Sequence, residues 1–280
     1  MRPLWAALCT EEIATRIVFD QTPTVDLGLK GKAAIVTGGS RGIGRAIAFT
    51  LMEEGAEVAI IARGEDDLRA VAAQAAERGG SVRTVAGDIS SDVGAKAAFD
   101  QAAKQLGGVD LLFNNAGGSL GAGTFDSVDA ALFAKVMDLN FTSAVNMSRF
   151  AVESMKARGG GSIVHIGSIC GREYCTSAPY LAAKAALGAL TKEMGVGLAK
   201  LGIRVSCVAP GSIMFPGGSW DKRLKEQPQM IDRMLQDDLP WGRFGSPEEV
   251  AQVAVFLASP RASWVTGSTV VVDGAQGRAL

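Results

Sequence analysis

The sequence predicts an α/β protein, a single doubly wound domain of about seven parallel strands flanked by helices. Three observations predict it. After Lys32, short apolar runs alternate with helix-length amphipathic segments; a glycine-rich turn joins the first strand to the first helix; and no internal repeat, low-complexity run or linker divides the 280 residues. A chain of this length can bury a large core, and 6% aromatic with 20% charged residues fits a compact globular protein rather than a disordered one.

The elements follow in order. AAIVTGG reads as a strand and leads into the helical RAIAFTLMEEG, and EVAIIAR leads into EDDLRAVAAQAAERGG. Further strands are read at SVRTVAGD, VDLLFNN, GSIVHIGS, IRVSCVAP and GSTVVVDG. Long helical patterns cover roughly residues 130–158 and 179–201, the second opening on Pro179, whose missing N–H costs nothing in a first helical turn. Residues 212–239 break the rhythm with FPGG and then a charged, helical SWDKRLKEQPQMIDRMLQDD. This excursion lies on the carboxyl edge of the sheet, where such folds bind ligands, and is expected to be a substrate lid hinged at Gly217 and Gly218.

The domain is therefore placed at residues 29–280, with 1–28 as a peripheral extension. The apolar run from Pro3 to Cys9 is stopped by Glu11 and Glu12 too early for a secretory signal, and Leu8 before Cys9 is poor for lipoprotein processing. A translation start near Val25 is the other reading of this segment. No later apolar run reaches the roughly 18 to 20 residues of a membrane helix.

Composition narrows the partners. Lys plus Arg (28) nearly balances Asp plus Glu (29) with no basic block, so neither nucleic acid nor an anionic membrane surface is expected. Cys9, Cys170, Cys175 and Cys207 form neither a disulfide framework nor a metal-ligand spacing, which predicts no metal site and a reducing cytoplasm. Cys170 and Cys175 show no activation signal and are read as packing or loop residues. The single histidine, His165, alternates with Val164 and Ile166 on a strand and is read as a satisfied strand residue, not a base.

The chemistry-bearing motifs begin at IVTGGSRGIGRAIA. Gly38, Gly42 and Gly44 stand between strand and helix, where the absence of side chains lets backbone N–H groups approach a pyrophosphate. At the end of the second strand, a carboxylate would bind a ribose 2′-hydroxyl and select NAD. Ala62-Arg63 stands there instead, and Arg63 with Arg41 could bind a 2′-phosphate, so NADP(H) is the expected cofactor, ahead of NAD(H). Tyr180 and Lys184 are one helical turn apart and point to one face, so the ammonium should favour the phenolate and lower the tyrosine pKa. Ser168, at a strand end, could orient a carbonyl oxygen.

TGGSRGIG, NNAG at 114–117, Asn140, Ser168, Tyr180-x-x-x-Lys184, the AP-G at 209–211 and VDG at 272–274 occur in the order of the classical short-chain dehydrogenases/reductases, which this chain resembles over about residues 29–273. The resemblance implies a single-domain Rossmann fold and a homotetramer built through helices at about 130–158 and 179–201. It implies a catalytic tetrad of Asn140, Ser168, Tyr180 and Lys184, with Lys184 also on the nicotinamide ribose and Asn140 completing a proton relay through water. It places Asp88 on the adenine and Asn115 in the wall of the cofactor cleft. It extends cofactor contact to Ser40, Ile43, Ile89, Ala116, Gly117, Pro210, Gly211 and Ile213.

The implied reaction is NADP(H)-dependent interconversion of a ketone and a secondary alcohol on a small-molecule substrate. Phe215 stands where many relatives carry a threonine near the cofactor's carboxamide; an apolar pocket there and packing under the lid are the two readings. Tyr174, with Ala178 in place of a lysine one turn on, lines the substrate pocket or packs on the surface. A 3-oxoacyl-carrier-protein reductase is the alternative. The two basic docking positions of those enzymes fall on Gly159 and Leu201, one step from Arg158 and Lys200, while Lys222, Arg223 and Lys225 of the lid could meet an anionic substrate. A non-catalytic dinucleotide sensor is the alternative of another class, disfavoured by the intact tetrad.

Overall fold

The computed structural model describes residues 25–279, so most of the expected extension, Cys9 included, lies outside the described residues. Leu29, where the domain is expected to begin, is fully buried.

Seven strands form one sheet: β1 (Ala33–Thr37), β2 (Glu57–Ala62), β3 (Val82–Ala86), β4 (Leu111–Asn114), β5 (Gly161–Ile166), β6 (Ile203–Pro210) and β7 (Ser268–Val272). All pair in parallel, in the order β3-β2-β1-β4-β5-β6-β7. A parallel sheet covered on both faces needs strands that are apolar on both faces. Ala34 and Val36 of β1 face one core cluster while Ile35 faces the other, and Val58 and Ile60 of β2 oppose Ala59 and Ile61 in the same way.

Helices α1 (Gly42–Glu53), α2 (Glu65–Glu77) and α3 (Asp92–Leu106) follow the first three strands. α3 starts at Ser91, whose hydroxyl accepts from the Gly94 N–H at 3.2 Å, and stops at Gly107, left-handed at φ 71°. α4 (Ala130–Met137) passes through a π turn at Asp138–Thr142 into α5 (Ser143–Ala157), so the helical pattern over 130–158 is one rod with a widened turn at Asn140. α6 (Ala178–Gly197) carries Pro179 in its first turn. The segment expected to form a lid is helical, but Gln227-Pro228 divides it into α7 (Ser219–Glu226) and α8 (Pro228–Asp237). A proline cannot donate within a helix, and it opens α8 instead of continuing α7. α9 (Pro247–Ala258) begins with a capping box between Ser246 and Glu249. One sheet face packs on α1, α2 and α9, the other on α3 and α5.

Strand order reverses direction between β1 and β4, which opens a crevice at their carboxyl ends. The glycine turn leaves β1 there and Asn115 leaves β4. Among the described residues, no helix is long and apolar enough to cross a membrane, and no cluster of potential metal ligands occurs.

Candidate active site

The glycine turn is shaped by contact, not by composition alone. Gly38 is left-handed (φ 64°), and a Cβ there would stand 2.9 Å from Ala116 Cα. A Cβ on Gly44 would stand 2.3 Å from the Gly38 carbonyl oxygen. Asn115 forces that closeness: its Nδ2 donates to the carbonyls of Thr37 (2.9 Å) and Gly38 (3.1 Å). Thr37, which the sequence reading passed over, accepts at Oγ1 from the N–H groups of Asn115 (3.0 Å) and Ala116 (3.1 Å). Its hint was its place just before Gly38-Gly39.

These residues fit a dinucleotide phosphate. The Arg41 side chain does not cap α1, and its first turn holds no acidic residue, so neither competes with an anion for the N–H groups at its start. Arg41 and Arg63 are both exposed. Arg63 lies close enough to Asp88 to help lower its carboxyl pKa, after the larger effect of the Ser90 hydrogen bonds. Ser40 and Ile43 flank the turn partly buried; Ile89 is buried after β3. Pro210 ends β6, Gly211 donates to the Val272 carbonyl (3.0 Å), and Ile213 bridges to Gly245. The loop after β6 is further pinned by Gln276, which accepts from the Ser212 N–H at 2.8 Å, a contact the sequence did not signal.

The Phe215 ring packs on Gly218 at the head of the expected lid segment and reaches across to the glycine turn. The far edge of its ring lies against the glycine turn, where a Cβ on Gly42 would come within 2.7 to 2.9 Å of three ring carbons. Gly217 is left-handed (φ 74°), as a hinge would be, whereas Gly218 is buried under the Phe215 ring and has an ordinary φ of -73°.

The four residues of the expected tetrad meet at the carboxyl ends of β4 and β5. Ser168 follows β5 with φ -170°, and its hydroxyl accepts from the Cys170 N–H at 3.1 Å and is a hydrogen-bond partner of Tyr180. Lys184 is buried, donates from Nζ to the Ile166 carbonyl at 2.8 Å, and lies 5.5 Å from the Tyr180 ring centre. Asn140 is buried in the π turn. Its Nδ2 donates to the carbonyls of Gly118 and Val136, both at 2.8 Å, and its Oδ1 accepts from the Gly118 N–H at 2.9 Å. The side chain therefore fastens the loop after β4. A Cβ on Gly117 would stand 2.6 Å from Asn140 Oδ1 and 3.2 Å from Lys184 Nζ, so glycine is required for these two to approach.

The electrostatics depart from expectation. Burial pushes the Tyr180 phenol up from its ordinary value, with the nearby Cys170 sulfur adding to the rise and the Ser168 hydrogen bond only partly opposing it. The expected lowering by Lys184 is absent because burial dominates and the amine is turned to a backbone carbonyl; burial lowers Lys184 itself to about 8. His165 is fully buried, and only Nδ1 has a partner, the Asn114 amide at 3.2 Å; Nε2 has none among the described residues, so it is half-satisfied. Tyr174 is 79% exposed on the loop between β5 and α6. The Cys175 thiol donates to the Ser177 carbonyl at 3.8 Å, and the neighbouring Cys170 thiol draws its pKa down.

A family model described as enoyl-(acyl carrier protein) reductase matches residues 38–275. The chain is 35% identical over 248 residues to 2-(S)-hydroxypropyl-CoM dehydrogenase 3 of Xanthobacter autotrophicus, covering 88% of this chain and 96% of that one. L-sorbose reductase from Gluconobacter frateurii, solved with NADPH and L-sorbose, superposes with a TM-score of 0.85 at 35% identity, over 91% of this chain and 100% of the other. A 7α-hydroxysteroid dehydrogenase, solved with NADH and 7-oxo glycochenodeoxycholic acid, superposes at 0.82 with 36% identity, over 89% and 96%.

Proposed function

Because the chain belongs to the short-chain dehydrogenase/reductase family and is an oxidoreductase acting on CH–OH groups, we propose that it interconverts a small-molecule ketone and secondary alcohol with NADP(H), using Tyr180 as general acid and base. The observation that carries this reading is the meeting of Ser168, Tyr180, Lys184 and the Asn140-held loop at one crevice.

A bound nicotinamide would supply or accept the hydride. Ser168 would hydrogen-bond the substrate oxygen and orient it beside the Tyr180 hydroxyl. Tyr180, held protonated by burial, would deliver its proton to the oxygen of a ketone undergoing reduction. Lys184 would hold the nicotinamide ribose, and Asn140, through Gly118, would keep the loop that faces it in place. The adenine end would meet Asp88 and Ile89, with Arg41 and Arg63 on a 2′-phosphate.

Tyr180→Phe should lower NADPH-dependent ketone reduction by about 10² to 10⁴-fold; full turnover in that variant, measured on a panel of ketones, would overturn the mechanism. Arg63→Ala should weaken NADPH binding about tenfold, the worth of one charge-assisted hydrogen bond, and leave NADH unchanged. Equal affinities for the two dinucleotides, indifferent to that substitution, would remove the NADP(H) assignment.

Reduction of a carrier-protein substrate is less well supported, because Arg158, beside the docking position, is committed to Asp110 by two hydrogen bonds of 2.9 Å. Saturable binding of acyl carrier protein would restore that reading. The balanced charge and the free thiols at positions 170, 175 and 207 support a cytoplasmic enzyme.

A further inference from the structure

We infer that Glu173 is a positioning residue for the reaction: its carboxylate fastens the chain beyond β7, residues 273–279, to the loop carrying Ser168, and this C-terminal strap ties that loop to the one after β6. The effect on turnover rests on the catalytic reading above; the contacts do not.

The strap is a built turn. Asp273, just past β7, accepts at Oδ1 from the Ala275 N–H (2.9 Å) and at Oδ2 from the Gly277 N–H (2.7 Å), and its carbonyl accepts from the Gln276 N–H (3.2 Å). Ala275 is left-handed at φ 62°, a conformation that strains a residue with a Cβ and persists only where surrounding contacts hold it. Two side-chain contacts tie this turn to two different loops. Gln276 grips Ser212 twice, accepting from its N–H at 2.8 Å and donating to its hydroxyl at 3.0 Å. Glu173 comes from the other loop, and its Oε2 accepts from the Arg278 N–H at 3.0 Å across 105 positions of the chain. Both fits are close: a Cβ on Gly211 would stand 2.7 Å from Gln276 Oε1, and one on Gly277 would collide with Glu173 Oε1.

Both loops border the crevice. Ser212 follows Gly211 just past the end of β6, on the segment expected at the cofactor. Glu173 stands five positions after Ser168. Its N–H donates to the Ile169 carbonyl at 3.1 Å, in the turn whose Cys170 N–H holds the Ser168 hydroxyl. That turn rests on α6, since a Cβ on Gly171 would stand 2.7 Å from the Lys184 carbonyl. Glu173 is therefore joined to the seat of Ser168 through one turn of backbone, and to Ser212 through the strap.

A loop freed from the strap samples positions in which Ser168 does not meet the substrate oxygen. The substrate must then select the competent fraction, which raises KM by the inverse of that fraction and leaves kcat alone once it is bound. A hydrogen bond to a charged acceptor is worth about tenfold in such an equilibrium. Cofactor affinity is spared, because Gln276 holds Ser212 with or without the Glu173 contact.

The test uses the full chain. Glu173→Ala should raise the ketone KM about tenfold, with kcat, melting temperature and NADPH affinity little changed. Glu173→Gln keeps an acceptor oxygen and should restore most of the loss. Arg278→Pro removes the donated N–H and should match Glu173→Ala, whereas Arg278→Ala keeps it and should behave as the unaltered chain. Combining Glu173→Ala with Arg278→Pro should cost no more than either alone, because both remove one bond. Hydrogen exchange followed by mass spectrometry reads the strap without turnover: residues 169–177 should exchange faster in Arg278→Pro, and residues 274–279 faster in Glu173→Ala. Additive losses in the double variant, or exchange unchanged in both segments, would sink the proposal. So would an active enzyme in which Glu173→Ala lowers kcat and leaves KM unmoved. Reciprocal changes in exchange in a chain with no turnover on any ketone would support the strap and count against the catalytic reading alone.

Discussion

At the scale of single residues, protonation is decided by what each group packs against. His165 sits on β5 with its ring sealed in the core, and burial, helped by the charge of Lys184, lowers its pKa to about 3. Asn114 donates to its Nδ1, which leaves the proton of the neutral ring on Nε2. A group whose folded pKa lies below its unfolded value contributes nothing above about pH 6.5 and costs stability as pH falls from there towards 3, because only the unfolded chain takes the proton. It is the only histidine, so its imidazole resonance is unambiguous. That resonance should stay constant between about pH 8 and 5 in the folded protein and titrate near 6.5 in urea; a folded midpoint near 6.5 would show the ring is not sealed. His165 was legible as a strand residue from its alternation with Val164 and Ile166, but the missing partner of Nε2 was not, since it depends on residues packed from other elements.

At the scale of elements, periodicity located every strand, and turn residues located several of the ends. It could not place Phe215, whose ring spans from the loop after β6 to the turn after β1, positions far apart in the chain. The ring covers Gly42 at the start of α1, where an anion would approach. It must turn aside before a pyrophosphate can reach those N–H groups. Phe215→Ala should therefore tighten NADPH binding by several-fold, about 1 kcal/mol, the cost of moving one side chain off its packed rotamer. Isothermal titration of the two proteins measures this, and weaker binding in the variant would show instead that the ring supports the bound dinucleotide. The expected lid segment beside it, read from its sequence as one helical stretch, is divided at Pro228, because proline opens a helix more readily than it continues one.

At the scale of the whole molecule, the sheet order brings the glycine turn, the loop after β4 and the expected tetrad to one edge, which is why motifs scattered from Gly38 to Gly211 along the chain lie together in space. The two long helical segments proposed as tetramer contacts are α4–α5 and α6. Val196 of α6 is 69% exposed, an apolar side chain that a second copy would cover. Sedimentation equilibrium should give four chains per particle, and Val196→Glu should shift the particle towards smaller species. A monomer at micromolar concentration would overturn the assembly.

The sequence by itself determined the fold class, the seven strands, the glycine turn and the Tyr180–Lys184 pairing, because each depends on local backbone geometry: alternation, helical spacing and the need for residues without a side chain. Only the tertiary structure decided the state of those groups. Tyr180 is raised where a neighbouring lysine predicted the reverse, Asn140 spends its amide on a loop, Arg158 is tied to Asp110, and the Cys175 thiol is turned to the Ser177 carbonyl. Each of these depends on burial and on neighbours brought close through space, and neither quantity is written in the spacing of residues along the chain.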